Sequence, residues 1–437
     1  MSTTNTQKVI FLAVAAACLA LGGPALAGGF DAGAATRAYL DTVSGAARAR
    51  SDAYFTGGYW LQLVDVVITL IIAWALLQSG YARKVRDALQ SKLRWRWAVV
   101  LGFVALYLLV TYVLGFALSF YEGFLREHAY GLSTQGFGGW FSDSLKSLAV
   151  SIGLGTPAAV LFYAVLRRAR RTWWLWGSGL AVTFLAFSMF IGPVFIAPLF
   201  NSYTPMRAGP LKMRILAMAD ANGVPADNVY VFDTSRQSNR ITANVSGLWG
   251  TTRISLGDNL LKEGKAKEVE AVMGHEMGHY VLGHSGSLMV DFGLLILAGF
   301  AFVNFTFMPV VRRFGKSWGI AGIDDIAGLP LLAALLAVFF FFATPVTNSI
   351  IRHHEAQADI FGLNAARAPD GFAAVAMKLA SYRKLEPGPL EEIVFFDHPS
   401  GRTRVAMAMR WKAAQLRMGA TDLDPSIAPL AKAAAAQ

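Results

Sequence analysis

Seven stretches of the chain stay apolar for long enough to cross a bilayer, which takes about 20 residues of helix: residues 9–27, 60–79, 97–120, 145–166, 173–195, 288–311 and 329–347. Trp60, Trp97, Trp173 and Trp174 stand at their ends, where amphipathic aromatic rings favour the membrane–water interface. The first stretch follows Lys8 and ends in Ala25-Leu26-Ala27, a small-x-small triplet typical of signal-peptide cleavage sites, so residues 1–27 read as a signal peptide or a first transmembrane helix. Residues 28–59 then read as an extracytoplasmic segment and 60–200 as a domain of membrane helices. Two regions break the apolar pattern: 201–287 and 348–437 mix charged and small polar residues with short apolar runs. Neither is long enough for a comfortable core of its own. The pattern therefore predicts one domain in two pieces, split by a pair of membrane helices within 288–347.

Composition agrees with a membrane chain. Charged residues make up 15% of it, against roughly 25% in soluble proteins, and the single Cys excludes an internal disulfide. The net charge of +11 fits either nucleic-acid binding or the excess of Lys and Arg in cytoplasmic loops. Its distribution decides: 13 of the 39 basic residues fall in three loops, at Arg83 to Arg96, Arg167 to Arg171 and Arg312 to Lys316, all on one side if every segment spans. The charge is then an orientation signal, no nucleic-acid partner is expected, and both polar pieces, 201–287 and 348–437, lean to the extracytoplasmic side.

The chemistry is concentrated in His275-Glu276-Met277-Gly278-His279. Residues four apart share a helix face, so both imidazoles reach one Zn²⁺ while Glu276 addresses a water on it, the zincin arrangement. A third ligand is needed. His128, His284, His353 and His354 have no special spacing to the motif and read as surface or packing residues. Glu355 is the better candidate, with Asp359 four residues on along the same helical face. One of the two carboxylates binds metal while the other accepts from a ligand imidazole.

H-E-x-x-H followed by E-x-x-x-D after an apolar hairpin resembles the membrane-bound zinc metallopeptidases of the type I CAAX prenyl endopeptidase and HtpX-like family. The likeness runs from about Tyr54 to Trp411 and includes the segments 130–134, 141–146, 196–205, 229–244 and 253–256, and Asp397-His398-Pro399-Ser400. It implies a mostly α fold, a polytopic membrane helical bundle with a zincin-like α+β metallopeptidase domain containing a short β-sheet. It implies one Zn²⁺ on His275, His279 and Glu355, Glu276 as general base and acid, and Asp359 as the hydrogen-bond partner behind a ligand. His398 is implied as the oxyanion donor, and Asn244 and Arg404 as substrate-binding residues. Thr403 departs from the pattern, where Glu is usual before Arg404, which puts any ion pair there in doubt.

The expected function is a zinc endopeptidase of a multi-pass protein in the bacterial inner membrane, cleaving membrane-associated or lipid-bearing peptides or proteins, either in the CAAX manner or in membrane quality control. The alternative is a non-catalytic, zinc-stabilised membrane receptor or assembly factor, against which the intact Glu276 argues. A transporter needs ionisable groups inside its spans, and the apolar segments contain almost none, Asp65 and Asp291 among the exceptions. The eukaryotic prenyl endopeptidases have a cytosol-facing catalytic domain, so this resemblance and the basic-loop distribution point to opposite sides of the membrane.

Overall fold

The computed structural model describes residues 30–247, 252–420 and 423; the predicted segment 9–27 lies outside the described residues. Six described helices are long and apolar enough to cross a membrane: Gly45–Gln78, Arg96–Ala129, Phe137–Arg168, Trp173–Leu199, His284–Trp318 and Ile326–Ala366. They contain the six other apolar stretches but run well past them. Hydropathy marks only the part of a helix that sits in lipid, whereas backbone hydrogen bonding continues through polar residues that tolerate helix. Residues 28–59 are accordingly not a simple linker. They carry the helix Ala32–Leu40, whose N-terminus is capped by Asp31 Oδ1 accepting from the Gly33 and Ala34 amides at 2.8 and 3.0 Å, and the first turns of Gly45–Gln78.

By internal contacts the chain forms two units. One, Gly57–Phe200 with Gly286–Thr347, holds most of the spanning segments. Its core gathers Val100, Phe103, Tyr163, Leu166, Trp173, Val303 and Phe307. The most apolar window of Trp173–Leu199 has none of its residues buried in protein, surface that needs lipid around it. Two of the basic segments are tied to the turn that follows the third, which itself ends the helix His284–Trp318. Arg86 Nη1 donates to Asp325 Oδ2 at 2.6 Å and to the Gly319 carbonyl at 2.9 Å, and Arg170 reaches Asp324 at 3.4 Å.

The other unit contains the described residues up to Thr56, Asn201–Ser285 and the chain from Asn348 onward. Its sheet has the order β1 (Tyr203–Pro205), β2 (Val229–Phe232), β4 (Arg253–Gly257), β3 (Ala243–Ser246), with β2 and β4 parallel and the outer pairs antiparallel. β3 is an edge strand and packs against the helix Ala266–Val281. Ile215, Val229, Ile254, Leu256, Val269, Met273, Leu363 and Val405 make the core between sheet and helices.

Two backbone devices place the motif. The helix Ala266–Val281 starts where the Lys265 amide donates to Glu268 Oε2 at 3.0 Å, with Lys378 paired to the same carboxylate. It ends because Gly283 adopts φ +67°, a left-handed stop that favours glycine, and the next helix begins at once with His284. Along its length Gly274 and Gly278 face Gly362 and Ala358, so the two backbones nearly touch. A Cβ on Gly362 would lie 2.7 Å from the His275 amide nitrogen. This crossing brings the polar end of Leu329–Ala366 against the two motif histidines.

Candidate functional site

His275 and His279, one turn apart on Ala266–Val281, aim their Nε2 atoms at the same point, 3.1 Å apart. Glu355 comes from the facing helix, with Oε2 3.3 Å from His275 Nε2 and Oε1 3.4 Å from His279 Nε2. A tetrahedral ion with ligands at about 2.0–2.1 Å has edges of roughly 3.3–3.4 Å, and each of these separations, two to different oxygens of Glu355, is close to such an edge. Glu355 Oε2 is buried and makes no hydrogen bond of good geometry within the protein, although His398 Nε2 is also 3.2 Å away. The donor set, two imidazoles and a carboxylate, fits a zinc ion with one position left open.

Behind the cluster stands a buried pair. Asp359 is fully buried, with Oδ1 2.7 Å from His275 Nδ1, off the straight N–H···O line. Arg404 Nε donates to Asp359 Oδ2 at 2.9 Å, and Arg404 Nη2 to Oδ1. Burial opposes charge on His275, but its contacts with Asp359 and Glu355 outweigh this and the imidazole is pushed up to about 10. Arg404 also lines the cavity in front of the cluster, but its fork is engaged by Asp359. Thr403, the departure from the expected pattern, bonds Ser400: the two hydroxyls are 2.9 Å apart and Ser400 Oγ caps the Thr403 amide.

His279 has a different support, which the spacing did not reveal. His284, 2% exposed, places Nδ1 2.9 Å from His279 Nδ1. With His279 Nε2 turned to the cluster, a neutral ring carries its proton on Nδ1 and donates to His284. The directions then follow: His284 Nε2 donates to Gln357 Oε1 at 3.1 Å, and Gln357 Nε2 donates to His353 Nε2 at 3.2 Å. The only sequence signal was Gly283, which stops the motif helix and folds the next residue back beside it.

Glu276 lines a cavity of about 230 Å³ together with His275, Glu355 and His398. Burial pushes its carboxyl above the ordinary glutamate value, with the neighbouring His275 and His279 acting the other way. His398 is held by Asp397 Oδ1 at 2.8 Å from Nδ1, which leaves Nε2 facing Glu355. Ile241, Thr242 and Ala243 lead from the cavity into β3. Asn244 is the next residue along that edge strand, opposite Ser255 of β4, and is not among the cavity-lining residues. The structure thus brings His275, His279, Glu355, Glu276, Asp359, Arg404 and His398 together and leaves Asn244 beside them on the strand.

Comparison with known proteins identifies the family. Residues 205–412 match the family model of peptidase family M48, and residues 35–202 match that of the CAAX prenyl protease N-terminal region, five membrane helices. The chain is 31% identical over 351 residues to the uncharacterized metalloprotease YhfN of Bacillus subtilis, covering 80% of this chain and 82% of that one. It is 28% identical over 301 residues to CAAX prenyl protease 1 of Saccharomyces cerevisiae, covering 65% of this chain and 66% of the yeast protein. The crystal structure of S. mikatae Ste24p superposes with a TM-score of 0.70 at 22% identity over 86% of this chain and 94% of that one, which shows a shared fold. The chain belongs to peptidase family M48 and is a multi-pass membrane metalloendopeptidase.

Proposed function

We propose that the protein is a zinc endopeptidase of the bacterial inner membrane, holding one Zn²⁺ on His275 Nε2, His279 Nε2 and Glu355 and cleaving membrane-associated or lipid-bearing peptides. The observation that carries the reading is the convergence of the two Nε2 atoms, 3.1 Å apart, on the Glu355 carboxylate, one oxygen of which lies 3.3 Å from His275 and the other 3.4 Å from His279. Bound there, a zinc ion supplies Lewis acidity to a water and a peptide carbonyl. Glu276 takes the proton of the attacking water and returns it to the leaving amine. His398 donates from Nε2 to the oxyanion, a contribution of about 3 kcal/mol for one preorganised donor. Asp359 fixes the His275 tautomer, and Arg404 acts through Asp359 at the edge of the substrate cavity. Asn244 helps β3 hold an extended peptide backbone by strand addition. The pieces 201–287 and 348–437 act as one peptidase domain.

A lipid-associated substrate is supported by the helix Leu329–Ala366, which is apolar through Thr347 and carries Glu355 about two turns, roughly 12 Å, further on. The names of relatives, CAAX prenyl protease 1 among them, favour lipid-bearing C-terminal peptides over damaged membrane proteins. The clustering of the basic loops around Arg86 and Asp325 favours a cytoplasmic position for those loops and an extracytoplasmic peptidase domain. Two measurements test this. Purified protein is expected to hydrolyse a farnesylated peptide with higher kcat/KM than its unmodified counterpart, and equal rates contradict the lipid preference. A side-specific reporter on the C-terminus is expected to report the extracytoplasmic side, and a cytoplasmic signal reverses the orientation.

A further inference from the structure

Among the described residues, the cavity in front of the metal-ligand cluster contains one cation, Arg383, with no carboxylate at ion-pair distance, Asp397 and Glu355 acting on it only from further away. Arg383 lines it together with Glu276 and His398, and its Nη1 is buried with no hydrogen-bond partner. Among the described residues no carboxylate lies within ion-pair distance of its guanidinium. The nearby carboxylates are engaged elsewhere: Asp359 by Arg404, Asp397 by His398, and Glu355 by the histidine cluster. Other walls of the cavity are apolar, from Phe372, Val375, Ala376 and Leu379.

Such a group is expensive to keep. A buried charge needs a partner, and removing one from a pair costs several kcal/mol. Arg404, equally close to the site, has its partner in Asp359; Arg383 does not. Burial and the Arg404 charge both act against its charged form. Its backbone is nevertheless anchored. Ser51 Oγ donates to the Arg383 carbonyl at 3.2 Å, and the Arg240 guanidinium covers the ring of the preceding Tyr382, 5.3 Å from its centroid. A buried guanidinium without an ion-pair partner, lining this cavity, is suited to a planar anion, because its fork matches a carboxylate bidentately. The cavity, about 230 Å³, is smaller than the roughly 300–1,000 Å³ of ordinary ligand pockets. It suits the end of a peptide or a single side chain.

We propose that Arg383 binds a carboxylate of the peptide substrate, either its C-terminal carboxylate or an Asp or Glu side chain beside the scissile bond, and so selects which bond is placed at the metal centre. The proposal rests on the peptidase reading above and adds the substrate's charge to it.

The test uses the full-length zinc-loaded protein in detergent and three quenched peptides of one sequence: the free acid, the C-terminal amide, and an amide with a Glu next to the scissile bond. The wild type is expected to favour one carboxylate-bearing peptide over the plain amide by about 10- to 100-fold in kcat/KM, the range of a charge-assisted hydrogen bond. The preference falls towards one in Arg383→Gln and is partly restored in Arg383→Lys, which keeps the charge but not the fork. Preference for the free acid identifies the C-terminus as the source, and preference for the Glu peptide identifies the side chain. Binding of the same peptides to Glu276→Gln, with and without Arg383→Gln, is followed by fluorescence anisotropy. It reads the preference without turnover, so a failure of hydrolysis, which would count against the peptidase reading, is distinguishable. Equal affinity for acid, amide and Glu peptides, or an Arg383→Gln loss that is the same for all three, overturns the proposal.

Discussion

His284 Nδ1 lies 2.9 Å from Nδ1 of His279, so one of the two motif histidines is oriented by another imidazole and not by a carboxylate. Since a ring nitrogen that accepts must lack a proton, this contact assigns every donor in the line from His279 through His284 and Gln357 to His353. Replacing His284 by Phe removes the acceptor and frees the His279 ring to turn. Zinc affinity, read by chelator competition, is expected to fall about 10- to 100-fold, and His284→Asn, which retains an acceptor and a donor, is expected to recover part of it. Unchanged affinity in His284→Phe would show that packing alone holds His279.

The Asp359–Arg404 pair makes a separate prediction, because both groups are buried. Arg404→Met leaves Asp359 without its cation and should cost about 3 kcal/mol in urea denaturation of the protein in micelles. Adding Asp359→Leu should return much of that stability but not the zinc affinity, because His275 then has nothing behind Nδ1. A single variant within about 0.5 kcal/mol of wild type contradicts the role given to the pair.

Gly362 carries a steric prediction. A methyl group there meets the His275 backbone nitrogen at 2.7 Å and the Gly274 carbonyl carbon at 3.1 Å, with no flexible side chain to yield. The helices must part, and Glu355 and Asp359 move with them. Gly362→Ala is expected to lower kcat/KM by about 10²-fold, the penalty of an ångström-scale misplacement. On helix propensity alone the change would stabilise by about 1 kcal/mol, so a more stable, fully active variant refutes the close-crossing argument.

Proton competition sets the pH dependence of zinc binding. In the metal-free protein Asp359 and Glu355 hold the His275 imidazole up to about 10 against the effect of burial, so zinc displaces a proton at any lower pH. Affinity should therefore keep rising with pH, about tenfold per unit between pH 7.5 and 9. An ordinary imidazole, near 6.5, would give a plateau over that range. A plateau in the chelator titration contradicts the raised value.

How much of this was legible in the chain depends on the range of the signal. The six described spans and the i, i+4 placement of His275 and His279 are local patterns, visible as apolar runs and as a helical period. The span ends were not, because polar helix such as Gly45 to Tyr59 has no hydropathy signature. His284 gave no ligand-like spacing because its role depends on a turn at Gly283. Gly362 and Arg383 gave no signal because what matters about them is another segment: a backbone nearly ninety residues earlier for one, and for the other the lack of a carboxylate at ion-pair distance in a cavity built from β3 and four helices.

The central claim is that Glu276 moves the proton while His275, His279 and Glu355 hold the ion. Glu276→Gln tests it most directly, with zinc content by elemental analysis and peptide hydrolysis measured on the same preparation. One zinc per chain is expected, as in wild type, with hydrolysis abolished. Peptide cleavage that persists in the zinc-replete variant and is lost on chelation would contradict it.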